Sequence, residues 1–143
     1  MFIGIPVTME RIFEIIISRP NLRGIARMTK SDPKNYGDLI TYFQGEYRPW
    51  HEAKVHVFSP AMKYGAGVFE GVRGYWSDKL NKMVLFRFLD HLNRLEYSQR
   101  VMRFEKIFTP EETSGPILEV MRRNSFTDHV HLRPVVYVDG YGQ

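Results

Sequence analysis

The sequence predicts an α+β fold: a largely antiparallel sheet with two helices on one side. Three observations lead there. Short β-rich runs are joined by brief polar connections such as Gln44-Gly45 and SDKLN, which suit antiparallel pairing because parallel pairs need a long crossover. Helical spacing of apolar residues is concentrated in the second half of the chain, in two stretches. A last apolar run, HVHLRPVVYV, follows the second of them. The order is therefore strands, helix, helix, strand, with the helices packed against one face.

A length of 143 residues suggests one domain, and 43% hydrophobic with 25% charged residues allows an ordinary packed core. Cysteine is absent, which excludes disulfides, thiolate metal sites and cysteine nucleophiles. The net charge of +4 suits an anionic ligand, but the basic residues form no long block that would single out nucleic acid. No apolar run approaches the ~18 residues of a membrane span. Glu10, Arg11 and Glu14 interrupt what would be the apolar part of an export signal, so a cytoplasmic protein is expected.

Residues 1–38 read as an N-terminal extension and linker. Ile12, Phe13, Ile16 and Ile17 have a spacing that predicts a short amphipathic helix, and the turn-rich TKSDPKNYGD follows. Residues 39–143 form the second unit. LITYFQGEYRPW predicts two strands around a Gln44-Gly45 turn, and AKVHVFS a further extended segment. MKYGAGVFEGVRGYW reads as a glycine-broken strand, paired through SDKLN with KMVLFRF. Phe88, Leu92, Leu95 and Met102 mark the first helix. Thr109-Pro110-Glu111-Glu112 is a capping box with proline at the first helical position, and Gly115-Pro116 is expected to break the helix it opens. HVHLRPVVYV predicts the last strand.

Several residues could carry chemistry. Arg94 shares a helix face with His91 and Ser98. It reads either as a solvated partner of Asp90 or as a donor fork for a phosphate or carboxylate. Arg133 sits in an apolar strand, either facing outward on an edge, as Pro134 suggests, or reaching a ligand. Glu70 and Arg73 interrupt the glycine-broken strand, point to opposite faces by alternation, and take no assigned role. The glycines of YGAGVFEG do not match a dinucleotide or P-loop fingerprint; they provide tight turns or close approach to a ligand or second subunit. His129 and His131 share a strand face without an obvious carboxylate, so no metal site is expected.

From about Thr41 onward, the segments YFQGEYRPWHEAKVHV, MKYGAGVFEGVRGYW, LFRFLDHLNRL and HLRPVVYV stand in the order and spacing of a known family. Over roughly 100 of the 143 residues the chain resembles the fold-type IV (class IV) pyridoxal-phosphate enzymes, most of all the small N-terminal domain of branched-chain amino-acid aminotransferases. The resemblance implies that Arg94 binds the phosphate of pyridoxal 5'-phosphate. It implies that Tyr64 and Phe69 line the substrate pocket, in part for a neighbouring subunit of a homodimer. Arg133 would help hold the carboxylate of amino-acid and 2-oxo-acid substrates. His131 stands where the family commonly has a tyrosine, and an imidazole is not equivalent to a phenol there.

Family members have about twice this length, and their Schiff-base lysine lies in a second domain beyond these residues. The expectation is therefore an aminotransferase portion that is inactive by itself, with no catalytic residue of its own and DGYGQ opening the interdomain connection. Two readings of the same fold stay open, a D-amino-acid transaminase and an aminodeoxychorismate lyase. A reading of another class is a basic, aromatic-rich nucleic-acid-binding module.

Overall fold

The computed structural model of the chain describes residues 39–140 in full and the backbone of residues 11–18. Among the described residues seven strands make one sheet, each pairing antiparallel. They are β1 (Arg11–Ser18), β2 (Ile40–Phe43), β3 (Glu46–Pro49), β4 (Gly67–Phe69), β5 (Val72–Ser77), β6 (Lys82–Leu85) and β7 (Val130–Val138). The main path runs β3-β2-β1-β7-β5-β6, with β4 also on β7. Among the described residues three α-helices accompany the sheet: α1 (Pro60–Tyr64), α2 (Phe88–Val101) and α3 (Pro110–Asn124).

Local sequence accounts for much of this. Gln44 and Gly45 both take positive φ, 53° and 84°, the backbone of a two-residue hairpin turn between β2 and β3. Thr109 and Glu112 close the expected capping box reciprocally, at 3.4 and 2.9 Å.

Four expectations are corrected. Residues 11–18 form a strand between β2 and β7 instead of a helix, because that slot offers hydrogen-bonding edges on both sides. The run AKVHVFS is irregular; Ser59 then caps α1, so Met62–Tyr64 are helical where a strand was expected. Helix α3 runs through Pro116 unbroken. The proline forfeits one backbone bond to Glu112, while the turn it belongs to buries Ile117 and Val120 completely, each worth about 1.5–3 kcal/mol. Finally, β7 is an interior strand, not an edge. Pro134 is tolerated because it falls opposite the break between β4 and β5, where Glu70 N–H still donates to its carbonyl at 3.0 Å.

The core lies between the sheet and the pair α2 and α3. Val72, Val130, Leu132 and Val136 of the sheet meet Leu92, Leu95, Ile117 and Val120 of the helices, none more than 1% exposed. Since strand side chains alternate, the intervening residues Arg73, His131 and Arg133 stand on the face turned away from the helices. That alternation sets out the candidate site.

Candidate functional site

Phe69 and Glu70 are consecutive, and they send their side chains to opposite sides of the sheet. The two neighbourhoods they enter contain most of the residues singled out from the sequence.

On the helix side, Glu70 is 3% exposed. A carboxylate so buried needs strong partners. It finds Arg94, whose Nε and Nη2 donate to its two oxygens at 2.5 and 2.6 Å, and His91, whose Nδ1 lies 2.9 Å from Oε2. Both partners come from one face of α2, three residues apart. Burial alone would raise the Glu70 pKa, but the hydrogen bonds from Arg94 and His91 outweigh it and hold the carboxyl below its ordinary value. Asp90, the alternative partner of Arg94, pairs instead with Arg87 at 2.7 Å.

The Arg94 side chain remains 65% exposed. A guanidinium carries five N–H donors. Nε and one Nη2 proton go to Glu70, so the outer edge keeps its donors for another oxyanion. Glu70 thus fixes the plane of a fork whose open side meets solvent. This is the chemistry of a phosphate or carboxylate anchor.

On the opposite face, the Phe69 ring lies under the Arg133 guanidinium at 4.8 Å, a cation–π contact. His131 stands two residues from Arg133 on the same strand and directly opposite Arg73 of β5. Its Nε2 comes within 2.9 Å of the position a Cβ would occupy on Gly71. Gly74 is likewise closed over, by Val130 Cγ2 at 2.7 Å. The clearance these two glycines provide is therefore filled by the chain's own side chains, not kept for a ligand or second subunit. Burial lowers the His131 pKa, and the charges of Arg73 and Arg133 lower it further.

Tyr64 joins neither group. It ends α1, is 75% exposed, and has Lys63 Nζ 5.2 Å from its ring. Two of the three remaining histidines have local structural roles: His129 Nδ1 accepts from Trp76 N–H at 3.1 Å, and His56 Nδ1 from Phe58 N–H at the same distance. Among the described residues no three metal-ligating side chains cluster, and no helix is long and apolar enough to cross a membrane.

Sequence reasoning missed Glu70 as the partner of Arg94. The signal was present: an acid inside an apolar run must meet a cation if it is buried, and Arg94 lies on a helix face that also carries a histidine.

No family model matches the chain. A curated branched-chain-amino-acid aminotransferase of Salmonella typhimurium is 40% identical over 101 residues, 71% of this chain and 32% of the relative. The crystal structure of the Escherichia coli branched-chain amino acid aminotransferase aligns with 39% identity and a TM-score of 0.65, covering 74% of this chain and 34% of that one. The Thermobaculum terrenum branched-chain amino acid aminotransferase in its PLP form aligns with 25% identity and a TM-score of 0.61, covering 76% and 42%. The chain thus spans about a third of the length of the curated relatives it matches.

Proposed function

We propose, for a chain that belongs to the fold-type IV branched-chain aminotransferases as an N-terminal portion, that it anchors a cofactor phosphate and shapes a substrate pocket for amino-group transfer between branched-chain amino acids and 2-oxoglutarate. The observation that carries this reading is Arg94. Its guanidinium is locked on one edge by buried Glu70 and open on the other, and similarity to a structure in its PLP form supplies the matching anion.

The donor set fits pyridoxal 5'-phosphate at one end. Arg94 would hold the phosphate, with Glu70 and His91 keeping the arginine in place. When bound, the cofactor supplies the electron sink that lets an amino group leave one carbon skeleton and join another. Phe69 and Tyr64 would offer apolar walls to the substrate side chain, and Arg133 with His131 would receive its carboxylate. Phe69 and Tyr64 are 59% and 75% exposed, which supports their being covered by further protein, a second subunit in a homodimer among it. Lys63, the lysine nearest these residues in sequence, has its Nζ 5.2 Å from the Tyr64 ring, and none of the lysines sits in a sequence motif of a covalent anchor. We therefore take these 143 residues to be inactive by themselves and to act in the cytoplasm.

The test compares pyridoxal 5'-phosphate with pyridoxal on the purified chain. The phosphorylated form should bind more tightly, and Arg94→Gln should remove the difference. Equal binding of both by the unaltered chain would overturn the anchor. For substrate class, an active protein containing these residues should transfer the amino group of leucine, but not of D-alanine, to 2-oxoglutarate.

A further inference from the structure

One face of α2 serves neither the core nor the phosphate anchor. Leu92, Leu95 and Gln99 are its buried residues, and Arg94 is drawn aside to Glu70 next to His91. On the outward side Leu89, Asn93, Tyr97 and Val101 recur at intervals of four, which places them in one ridge along the helix. All four are exposed. The three large ones, Leu89, Tyr97 and Val101, are 62%, 66% and 61% exposed. A helix whose core stripe is already buried ordinarily gives its outer face to charged residues. Single apolar residues on a surface need no explanation, but a row of them marks a contact.

The order of residues on this face indicates what fits it. Counting outward from Leu95, position 89 matches 101, 90 matches 100 and 93 matches 97. Two copies of α2 crossing antiparallel about a two-fold axis level with residue 95 set each residue level with its match in the other copy. Leu89 then meets Val101, apolar with apolar, and the Asn93 amide meets the Tyr97 phenol. Asp90 stands level with Arg100 of the other copy, twice over. A parallel pairing would bring Asp90 to Asp90 and Arg100 to Arg100, so charge selects the antiparallel arrangement. Arg87 and Arg103 also match each other, like with like. They lie at the outer ends, where crossing helices diverge, and Arg87 already pairs with Asp90 at 2.7 Å. Arg100 pairs likewise with Glu96 within the helix. Exposed pairs of this kind contribute little and can be shared with a second copy.

We propose that the outward ridge of α2 is a self-association surface, on which two copies of this chain pack antiparallel with Leu89 on Val101, Asn93 on Tyr97 and Asp90 beside Arg100. The contact does not depend on the phosphate anchor, because Arg94 leaves the ridge toward Glu70. Nor does it use Phe69 or Tyr64, which belong to β4 and α1. With 14 residues α2 is about 21 Å long and about 10 Å wide, so the ridge alone covers less than the roughly 800 Å² per partner of a standard interface. The association is therefore reversible and follows concentration.

The experiment is sedimentation velocity of the 143-residue chain from micromolar to millimolar concentration, which should show a monomer–dimer equilibrium. On dilution the NMR amide resonances of Leu89, Asn93, Tyr97 and Val101 should move together, while those of β6 stay. Tyr97→Asp should weaken the dimer about tenfold or more and leave the circular dichroism unchanged. The two-fold pairing has its own test. Asp90→Arg and Arg100→Asp chains should each associate poorly alone, by like-charge repulsion, yet pair when mixed, because both contacts then join opposite charges. A chain that stays monomeric to millimolar concentration overturns the proposal and leaves the ridge to a partner of another kind. A dimer that Tyr97→Asp does not weaken also overturns it, since the second copy then sits on another surface. Failure of the two charge variants to pair on mixing overturns the antiparallel arrangement. None of these outcomes bears on Arg94, whose role is judged by the comparison of pyridoxal 5'-phosphate with pyridoxal.

Discussion

Two arginine clusters lie on either side of one strand, and they are built on opposite electrostatic principles. Arg94 is neutralised in advance by an acid 3% exposed, which fixes its orientation before any ligand arrives. Arg73 and Arg133 form no ion pair among the described residues, and beside them stands a histidine whose pKa burial, and then their charges, lower. The first cluster contributes to stability and presents a fixed donor edge. The second sets like charges close to a partly buried imidazole. Consecutive residues, Phe69 and Glu70, divide between the two because a strand turns successive side chains to opposite faces.

The largest expected effect breaks the first cluster. Arg94→Ala leaves Glu70 buried with His91 alone, and denaturant unfolding should show a loss of about 3 kcal/mol. Glu70→Gln should cost less, about 1–2 kcal/mol, since Arg94 is free to turn into water. The pH profile sharpens this. Because the folded-state pKa of Glu70 is depressed, its contribution is present at neutral pH and is lost as pH falls through the ordinary carboxylate range toward the folded value. Wild type and Glu70→Gln should therefore converge in acid. Parallel profiles would mean that the pair adds nothing to stability.

Smaller effects belong to the second cluster. Gly71→Ala places a methyl 2.9 Å from His131 Nε2, and the ring has to move. The cost should be about 1 kcal/mol, with a visible change in the His131 ring shift. Arg73→Met should alter stability by no more than about 0.5 kcal/mol, or improve it, while raising the His131 pKa. The smallest signal is in the ligand-free chain. A histidine with a depressed folded pKa makes stability rise with pH, from the folded value up to the unfolded value of about 6.5. His131→Tyr should flatten that rise.

The contrast between the clusters also shows what could be read from the residues in order. Arg94 stood out by its helix face and by the family segments around it, yet its partner did not, because Glu70 is 24 residues earlier. Pairing across that distance depends on how α2 lies over the break between β4 and β5. Similarly, YGAGVFEG suggested tight turns or a close approach, but not that the chain's own His131 fills the space over Gly71. Residues 11–18 have an apolar spacing compatible with helix, and only the open slot between β2 and β7 makes them a strand.

By itself the sequence determined the α+β class, the Gln44-Gly45 hairpin, the Thr109 capping box, Leu92 and Leu95 as core positions of α2, though not Met102, which lies past its end and is exposed, and the family. All of these depend on neighbours within a few residues or on motifs in fixed order. Tertiary structure alone decided which charges are neutralised. Coulombic partners and burial are set by strands and helices far apart in the chain, and no local pattern encodes the distance between Glu70 and Arg94.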